Sequence, residues 1–206
     1  WLIVILAFII GLIAYPHMPA KVASHWGASG AVNGYMPKTW GTFIFPLIML
    51  VMGVIFFLIP RIDPKRRNYR EFKGYYWGLF LGFELFLLVV FLFTILWNLG
   101  YHTNVNSVFS ALLGFFIIGI GFFIEHVKPN WFIGIRTPWT LSNEEVWRKT
   151  HRLGSLLFKV SGVIALFGVL LTKFAIWLVL IPIIISSIVV VIYSYYEYER
   201  VTRGEK

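Results

Sequence analysis

Long apolar segments with almost no charge are the feature of this sequence that most restricts its fold. Residues 41–59 carry no charged side chain, and residues 74–98 carry one, Glu84. About 20 mostly apolar residues suffice for a helix to cross the ~30 Å hydrocarbon layer of a membrane. Of the 206 residues, 59% are apolar and 13% are charged, whereas soluble domains carry about 25% charged residues. This composition excludes a cytosolic globular enzyme, a disordered tail and a disulfide-stapled secreted module, and it indicates an integral membrane protein.

The apolar segments are continuous, without the alternation of a membrane β-barrel, so they predict helices. Thr172 and Lys173 would form the turn between the last two, which are therefore expected to be antiparallel. The chain opens on Trp1, and we expect it to lack its initiator Met and a few residues. The predicted fold class is all-α, a polytopic membrane protein with six transmembrane helices at residues 1–15, 41–59, 74–98, 108–124, 153–171 and 174–196.

The distribution of Lys and Arg predicts the orientation of these spans. Fourteen of them fall in one set of connections and at the C-terminus, against Lys21, Lys38 and Lys173 on the other side. Connections rich in Lys and Arg stay in the cytoplasm, so both termini are expected to be cytoplasmic in a multi-pass protein of the cell membrane. The net charge of +9 is then explained by anionic inner-leaflet lipid, and the lipid bilayer rather than nucleic acid is the expected partner.

We divide the chain into two regions of three spans each. Region 1–98 contains an outer loop, 16–40, and a basic inner loop, 60–73; region 99–206 contains a cytoplasmic signature segment, 125–152. There is no Cys, hence no disulfide and no thiol nucleophile. Serine-nucleophile, phosphate-loop and HExxH motifs are absent as well. The sequence therefore predicts a protein that is not an enzyme and uses no cofactor.

The second half of the signature segment predicts a short amphipathic helix at the headgroups, continuing into the fifth span. Ser142 and Glu145 form a capping-box pattern, which would start the helix at Asn143. Glu144 with Arg148, and Glu145 with Lys149, are favourable i,i+4 pairs.

The first half of the segment is expected to be extended, since it contains two prolines and Gly134. Arg136 stands in an otherwise apolar stretch, and we expect Glu125 or Glu84 to be its partner. The alternative is a loop that lies in the headgroup region and binds no substrate.

Glu84 lies near the middle of the third span, where a carboxylate costs several kcal/mol unless it is paired or protonated. Its candidate partners are Arg136, Lys159 or a His. An intramembrane acid suits a small transporter or channel, and this alternative function stays open beside a carboxyl group that merely ties spans together.

Two further groups of residues have competing interpretations. Glu125, His126 and His151 are weak candidates for a zinc site in a membrane metalloenzyme. The outer loop carries His25 and Trp26, with a turn predicted at Asn33-Gly34. Its aromatic residues are either a surface for a peptide or an interfacial belt.

The signature segment resembles the SdpI family of bacterial and archaeal membrane proteins. The resemblance covers 27 residues without a gap, Lys128 to Gly154, KPNWFIGIRTPWTLSNEEVWRKTHRLG. Residues 18–38, MPAKVASHWGASGAVNGYMPK, are similar to the His-Trp loop of an uncharacterised domain that often precedes this signature. Asn33 replaces a usually acidic residue there, and Gly27 a frequent Asn, which weakens any cation-binding role for the loop.

The resemblance implies immunity to a secreted pore-forming peptide toxin of the SdpC type. It also implies sensing of that toxin and retention of a repressor protein at the membrane, so the implied partners are a toxin outside and a repressor inside. The residues to which it assigns importance are Asn130, Gly134, Arg136, Thr137, Pro138, Trp139 and Trp147 inside, and His25, Trp26 and Gly34 outside. Arg136 would be the charge anchor, Gly134 and Pro138 would set the shape, and the tryptophans would lie at the interface.

Overall fold

The computed structural model describes residues 1–204, of which most are helical. The described residues form seven α-helices and one two-stranded antiparallel sheet. The elements are α1 (Leu2–Ala14), β1 (Lys21–Trp26), β2 (Val32–Pro37), α2 (Lys38–Ile62), α3 (Lys73–Asn98), α4 (Val105–Ile124), α5 (Pro138–Ser142), α6 (Glu144–Leu166) and α7 (Ala175–Thr202).

Five of the helices, α2, α3, α4, α6 and α7, are long and apolar enough to cross a membrane. They coincide with the second to sixth predicted spans. Helix α1 has 13 residues, about 20 Å at 1.5 Å per residue, and is shorter than a hydrocarbon layer. It packs through Val4 and Ala7 into a core with Met49 of α2 and Phe91 of α3. Its assignment as a sixth span remains a prediction.

The connections gather at two ends of the bundle. At the hairpin end, Asn106 Nδ2 donates to the carbonyl oxygens of Ala28 at 3.1 Å and Thr172 at 3.0 Å. This amide therefore joins the β1–β2 hairpin to the turn before α7. At the basic end, Asn68 Nδ2 donates to the Pro129 carbonyl at 2.7 Å, so the basic loop contacts the signature segment.

Helices α4 and α6 form the closest helix pair, because glycine lets their backbones approach. A Cβ added at Gly162 would lie 2.6 Å from the Gly114 carbonyl oxygen, and one at Gly121 would lie 3.0 Å from the Ser155 carbonyl oxygen. Gly119, in contrast, faces open space.

The outer loop is a β-hairpin, so the prediction of an all-α fold is wrong for this segment. Its turn is also not at Asn33-Gly34, which lie inside β2. The turn spans residues 27–31: Gly27 N donates to the Ala31 carbonyl at 2.9 Å, and Gly30 has φ of 79°, a left-handed conformation that glycine adopts without strain. Gly34 lies opposite His25 in the sheet, where a Cβ would approach the His25 Cβ to 2.9 Å.

Candidate functional site

Asn130 organises the first half of the signature segment. Its side chain is fully buried. Asn130 Oδ1 accepts from the Phe132 and Ile133 amides at 2.9 and 2.7 Å, and Nδ2 donates to the Lys128 and Ile133 carbonyls at 2.9 and 2.8 Å. The Asn130 side-chain amide thus provides hydrogen-bond partners for backbone N–H and C=O groups of a tight turn that belongs to no helix or strand.

Two residues of the basic loop, Asp63 and Tyr69, complete this turn. Asp63 Oδ2 accepts from the Trp131 amide at 3.0 Å and from the Tyr69 hydroxyl at 2.9 Å. The same hydroxyl lies 3.2 Å from Asn130 Oδ1. Burial, and then the hydrogen bond to Asp63, raise the pKa of the Tyr69 phenol, which therefore stays a donor. We call Asp63, Asn68, Tyr69 and Asn130 the polar latch.

Asp63 and Tyr69 are not recognisable as site residues from the sequence pattern. The only signal was that Asp63 is one of two acids, with Glu71, in a stretch rich in Lys and Arg, and that it stands directly before a proline. An acid in a loop of this kind is normally a solvated charge, and the burial of Asp63 depends on a contact 68 residues away along the chain.

Gly134 lies against two side chains of α6. Its φ is 119°, and a Cβ there would lie 2.6 Å from His151 Nε2 and 3.2 Å from the Trp147 ring. His151 Nε2 accepts from the Ile135 amide at 3.0 Å, so Nδ1 carries the proton and donates to the Trp147 carbonyl at 2.8 Å. Both ring nitrogens are therefore occupied in holding the segment.

Trp147 is buried inside the protein, and its indole N–H donates to the Val127 carbonyl at 2.9 Å. The prediction that it lies at the membrane interface is wrong, because its ring fills the space between the signature segment and α6. Trp139 is partly exposed and packs on Tyr195 of α7, with ring centroids 5.1 Å apart.

Thr137 and Pro138 begin the short helix α5. Thr137 Oγ1 accepts from the Thr140 amide at 3.2 Å and donates to Ser194 Oγ of α7 at 3.0 Å. Thr140 Oγ1 donates to the Ile135 carbonyl at 2.7 Å. The segment is thereby fixed to α7 as well as to the basic loop and α6.

Helix α6 is continuous from Glu144 into the fifth span, as predicted. Its cap is Asn143, whose Oδ1 accepts from the Glu145 and Val146 amides at 2.8 and 3.1 Å. The predicted cap, Ser142, is instead the last residue of α5 and donates to the Pro138 carbonyl at 2.9 Å.

The charges of α6 form one of the two predicted ion pairs. Lys149 Nζ lies 2.7 Å from Glu145 and 2.6 Å from Glu197, a buried carboxylate that Arg200 also contacts at 3.0 Å. The Glu144–Arg148 pair is absent from the ion pairs of residues 1–204. Lys149 therefore links α6 to the end of α7.

Arg136 has neither of its predicted partners. Its side chain is exposed, and Nη1 donates to the Trp131 carbonyl at 2.5 Å. A guanidinium at an exposed surface is hydrated and needs no carboxylate. Glu125 pairs instead with Lys159 at 2.9 Å and Ser155 at 3.0 Å, and these hydrogen bonds lower the pKa of its carboxyl group.

Glu84 is 1% exposed, and neither carboxylate oxygen has a hydrogen-bond partner among residues 1–204. The predicted partners Arg136 and Lys159 bond elsewhere, and His151 uses both of its nitrogens on the backbone. Glu84 is therefore a buried acid without a countercharge from these groups.

The weak zinc candidates line one cleft of about 560 Å³ at the basic end. His126 Nδ1 donates to the Phe122 carbonyl at 2.9 Å, and its ring stacks on Tyr75 at 3.8 Å. No group of three His, Cys, Asp or Glu side chains that could hold a metal ion occurs within the described residues. Glu125, His126 and His151 are thus not assembled into a metal site.

At the hairpin end, His25 and Asn33 are joined by a 2.5 Å contact between Nδ1 and Oδ1. Trp26 packs edge-on against Phe93 and Trp97 of α3, with ring centroids 5.2 and 5.6 Å apart. The three outer residues predicted from the sequence, including Gly34, therefore lie together on one hairpin. They are not in contact with the signature segment, which lies at the other end.

Comparison with known proteins gives matches in both regions of the chain. The SdpI/YfhL protein family matches residues 126–194, and a domain of unknown function, DUF1648, matches residues 2–50. Immunity protein SdpI of Bacillus subtilis (strain 168) is 27% identical over 203 residues, which cover 97% of this chain and 94% of that protein. No solved structure matches.

The family match contains the turn around Asn130, the Gly134 contact with α6 and the α5–α7 contact. The similarity to the Bacillus protein extends over both ends of the bundle. The resemblance to the SdpI/YfhL protein family seen in the sequence is thereby confirmed for residues 126–194, and the chain is similar over nearly its whole length to an immunity protein; it is a multi-pass membrane protein.

Proposed function

We propose that this protein protects the cell membrane against a secreted peptide toxin, as an immunity protein and without catalysis. The observation that carries the proposal is the similarity to immunity protein SdpI over 97% of the chain. The buried polar groups of the signature segment also support a non-catalytic role, because they are used in hydrogen bonds that hold its backbone.

We infer that the basic end faces the cytoplasm and the hairpin end faces outward, with α1 as a sixth span. The Lys and Arg residues support this orientation, since the hairpin end carries only Lys21, Lys38 and Lys173. No Asp or Glu occurs in residues 15–40, 99–107 or 167–178, which form or adjoin that end.

In this orientation we propose that the signature segment forms the cytoplasmic surface that binds a repressor protein. Asn130, Gly134, Thr137 and Trp147 determine its shape through buried contacts. Arg136 and Trp131 are exposed on it, and Arg136 presents its charge there.

Survival of a toxin-sensitive bacterium exposed to SdpC-type peptide tests this proposal. Cells expressing the wild-type chain should survive, and Arg136→Ala should abolish protection while much of the protein stays in the membrane. Arg148→Ala, which removes another exposed cation of the signature segment, is the matched control and should protect. Protection by Arg136→Ala at equal membrane levels would contradict the site assignment.

A second candidate function, ion-coupled transport, is favoured by one observation: the buried Glu84 carboxyl group has no hydrogen-bond partner among residues 1–204. Flux of a solute driven by an ion gradient in proteoliposomes, lost in Glu84→Gln, would support transport. If Glu84→Gln changes neither activity nor stability, Glu84 has no functional role.

A further inference from the structure

A cavity of about 320 Å³ lies at the hairpin end, between the two regions of the chain. Its roof is the hairpin, residues 24–28, and its walls come from α2, α3, α4 and α7. Phe45, Phe109, Leu113 and Ile176 make most of the lining apolar. The volume is at the lower end of the range for small-molecule sites, and it suits one or two large apolar side chains.

Two polar groups at this cavity have no hydrogen-bond partner within the part of the chain that the structure describes. Ser110 of α4 lines it, is 2% exposed, and its hydroxyl makes no hydrogen bond among residues 1–204. Trp26 of the hairpin also lines it, and its indole N–H is buried and equally unpaired. Buried donors are normally satisfied, so a ligand with hydrogen-bond acceptors would complete the site.

The apolar cavity adjoins a second, more polar cleft of about 430 Å³. Ala28, Val105 and Asn106 line both, and the cleft adds Asn104, Thr172 and Lys173. A ligand that enters here would place an apolar part under the hairpin and a hydrogen-bonding part in the cleft.

We propose that this cavity binds a large apolar side chain of a peptide, whose backbone carbonyls accept from Trp26 and Ser110. The amides and hydroxyl of the cleft suit a peptide backbone. The absence of Asp and Glu around the hairpin end favours a peptide that carries a carboxylate. This inference rests on the proposed immunity function and identifies where the toxin is recognised.

Photocrosslinking of the purified full chain in phosphatidylcholine nanodiscs tests the assignment without any toxin. The probe is a short synthetic peptide rich in Phe and Leu, with one p-benzoylphenylalanine and a free carboxyl terminus. We expect labelling within residues 24–28 and 105–113, mapped by mass spectrometry.

Two variants and one control make the test specific to the cavity. Ile176→Trp fills the cavity and should abolish labelling. Ser110→Ala removes an unpaired hydroxyl, which leaves folding intact, and should weaken labelling roughly three- to tenfold, as expected for one lost hydrogen bond. Leu180→Trp adds the same ring at an exposed position of α7 and should label like the wild type.

Labelling that persists at full strength in both Ile176→Trp and Ser110→Ala would overturn the assignment. A photoactivatable acyl chain of phosphatidylcholine that labels the same residues, and that the peptide does not displace, would also overturn it and make the cavity a lipid site. Failure of these experiments leaves the survival result untouched, so the two proposals fail separately.

Discussion

At the scale of single residues, the signature segment depends on buried polar atoms and on one backbone conformation. Asn130, Asp63, His151 and Thr137 each bond to groups distant in sequence. Leaving one such buried group unpaired costs about 1–3 kcal/mol. The segment should therefore be sensitive to changes that preserve size but alter hydrogen bonding.

Gly134→Ala should destabilise the protein by roughly 2–5 kcal/mol, because Ala would be strained at φ of 119° and would collide with His151. Thermal unfolding in detergent measures the effect. Gly78→Ala in α3 is the control, since a Cβ there meets nothing within 4 Å, and it should be neutral or stabilising. Equal melting temperatures for the two variants would contradict the role given to Gly134.

Asp63→Asn should destabilise the protein by about 1–3 kcal/mol, because an amide N–H₂ replaces one acceptor oxygen among three donors. Tyr69→Phe removes one of those donors and should cost about 1 kcal/mol. In the double variant the losses should be less than additive, as they are for groups in one network. Strict additivity in chemical denaturation would show that the polar latch does not act as a unit.

At the scale of elements, the sequence predicts helices better than their ends. The five long spans follow from apolar runs that only a helix accommodates in a membrane. The β-hairpin was missed because its strands are short and partly polar, and because Asn33-Gly34 is a frequent turn dipeptide, whereas here it lies inside β2 and Gly34 pairs with His25. Which glycine makes the turn depends on pairing register, which local composition does not determine.

The first residue of α6 was also predicted less well than the helix itself, and substitutions at its cap test the observed end. Asn143→Ala should cost about 1 kcal/mol, since Asn143 Oδ1 caps two backbone amides. Ser142→Ala should cost less, because its hydroxyl only bonds back to carbonyls within α5. If Ser142→Ala lowers the free energy of unfolding more than Asn143→Ala does, the N-cap of α6 is Ser142, as the sequence predicted.

The candidate site was predictable only in part, because its contacts depend on residues that are distant in sequence. Residues of the signature segment are recognisable as a contiguous motif, and the structure places Asn130, Gly134, Thr137 and Trp147 in contacts with the rest of the fold. The groups they contact are Tyr69, Ser194 and His151, and Asp63 accepts from the neighbouring Trp131 amide. Asp63, Tyr69 and Ser194 lie far away in sequence, and their pairing depends on how the helices assemble.

At the scale of the whole molecule, the two ends of the bundle differ in structure and charge. The hairpin end has a small sheet over an apolar cavity and three lysines. The basic end has the polar latch and the Lys149–Glu197–Arg200 cluster. At each end, side-chain hydrogen bonds join the two regions of the chain, so the regions are held together at both ends of the bundle.

Topology mapping tests the orientation assigned to these ends. A reporter tag fused after Lys206 should be accessible only from the cytoplasm, and one inserted near Ser29, in the hairpin turn, only from outside. The expectation follows from the fourteen Lys and Arg residues on the basic side. The reverse accessibility of both tags would overturn the charge argument, and a shared side would exclude six spans.

If the protein protects the membrane itself, the membrane potential is the most direct measure of that protection. A potential-sensitive dye is followed in sensitive cells after addition of the SdpC-type toxin, with and without expression of this chain. We predict that the potential is held in cells with the wild-type chain and collapses in the vector control. Collapse at the same toxin dose and rate in both, with the protein present in the membrane, would contradict the account.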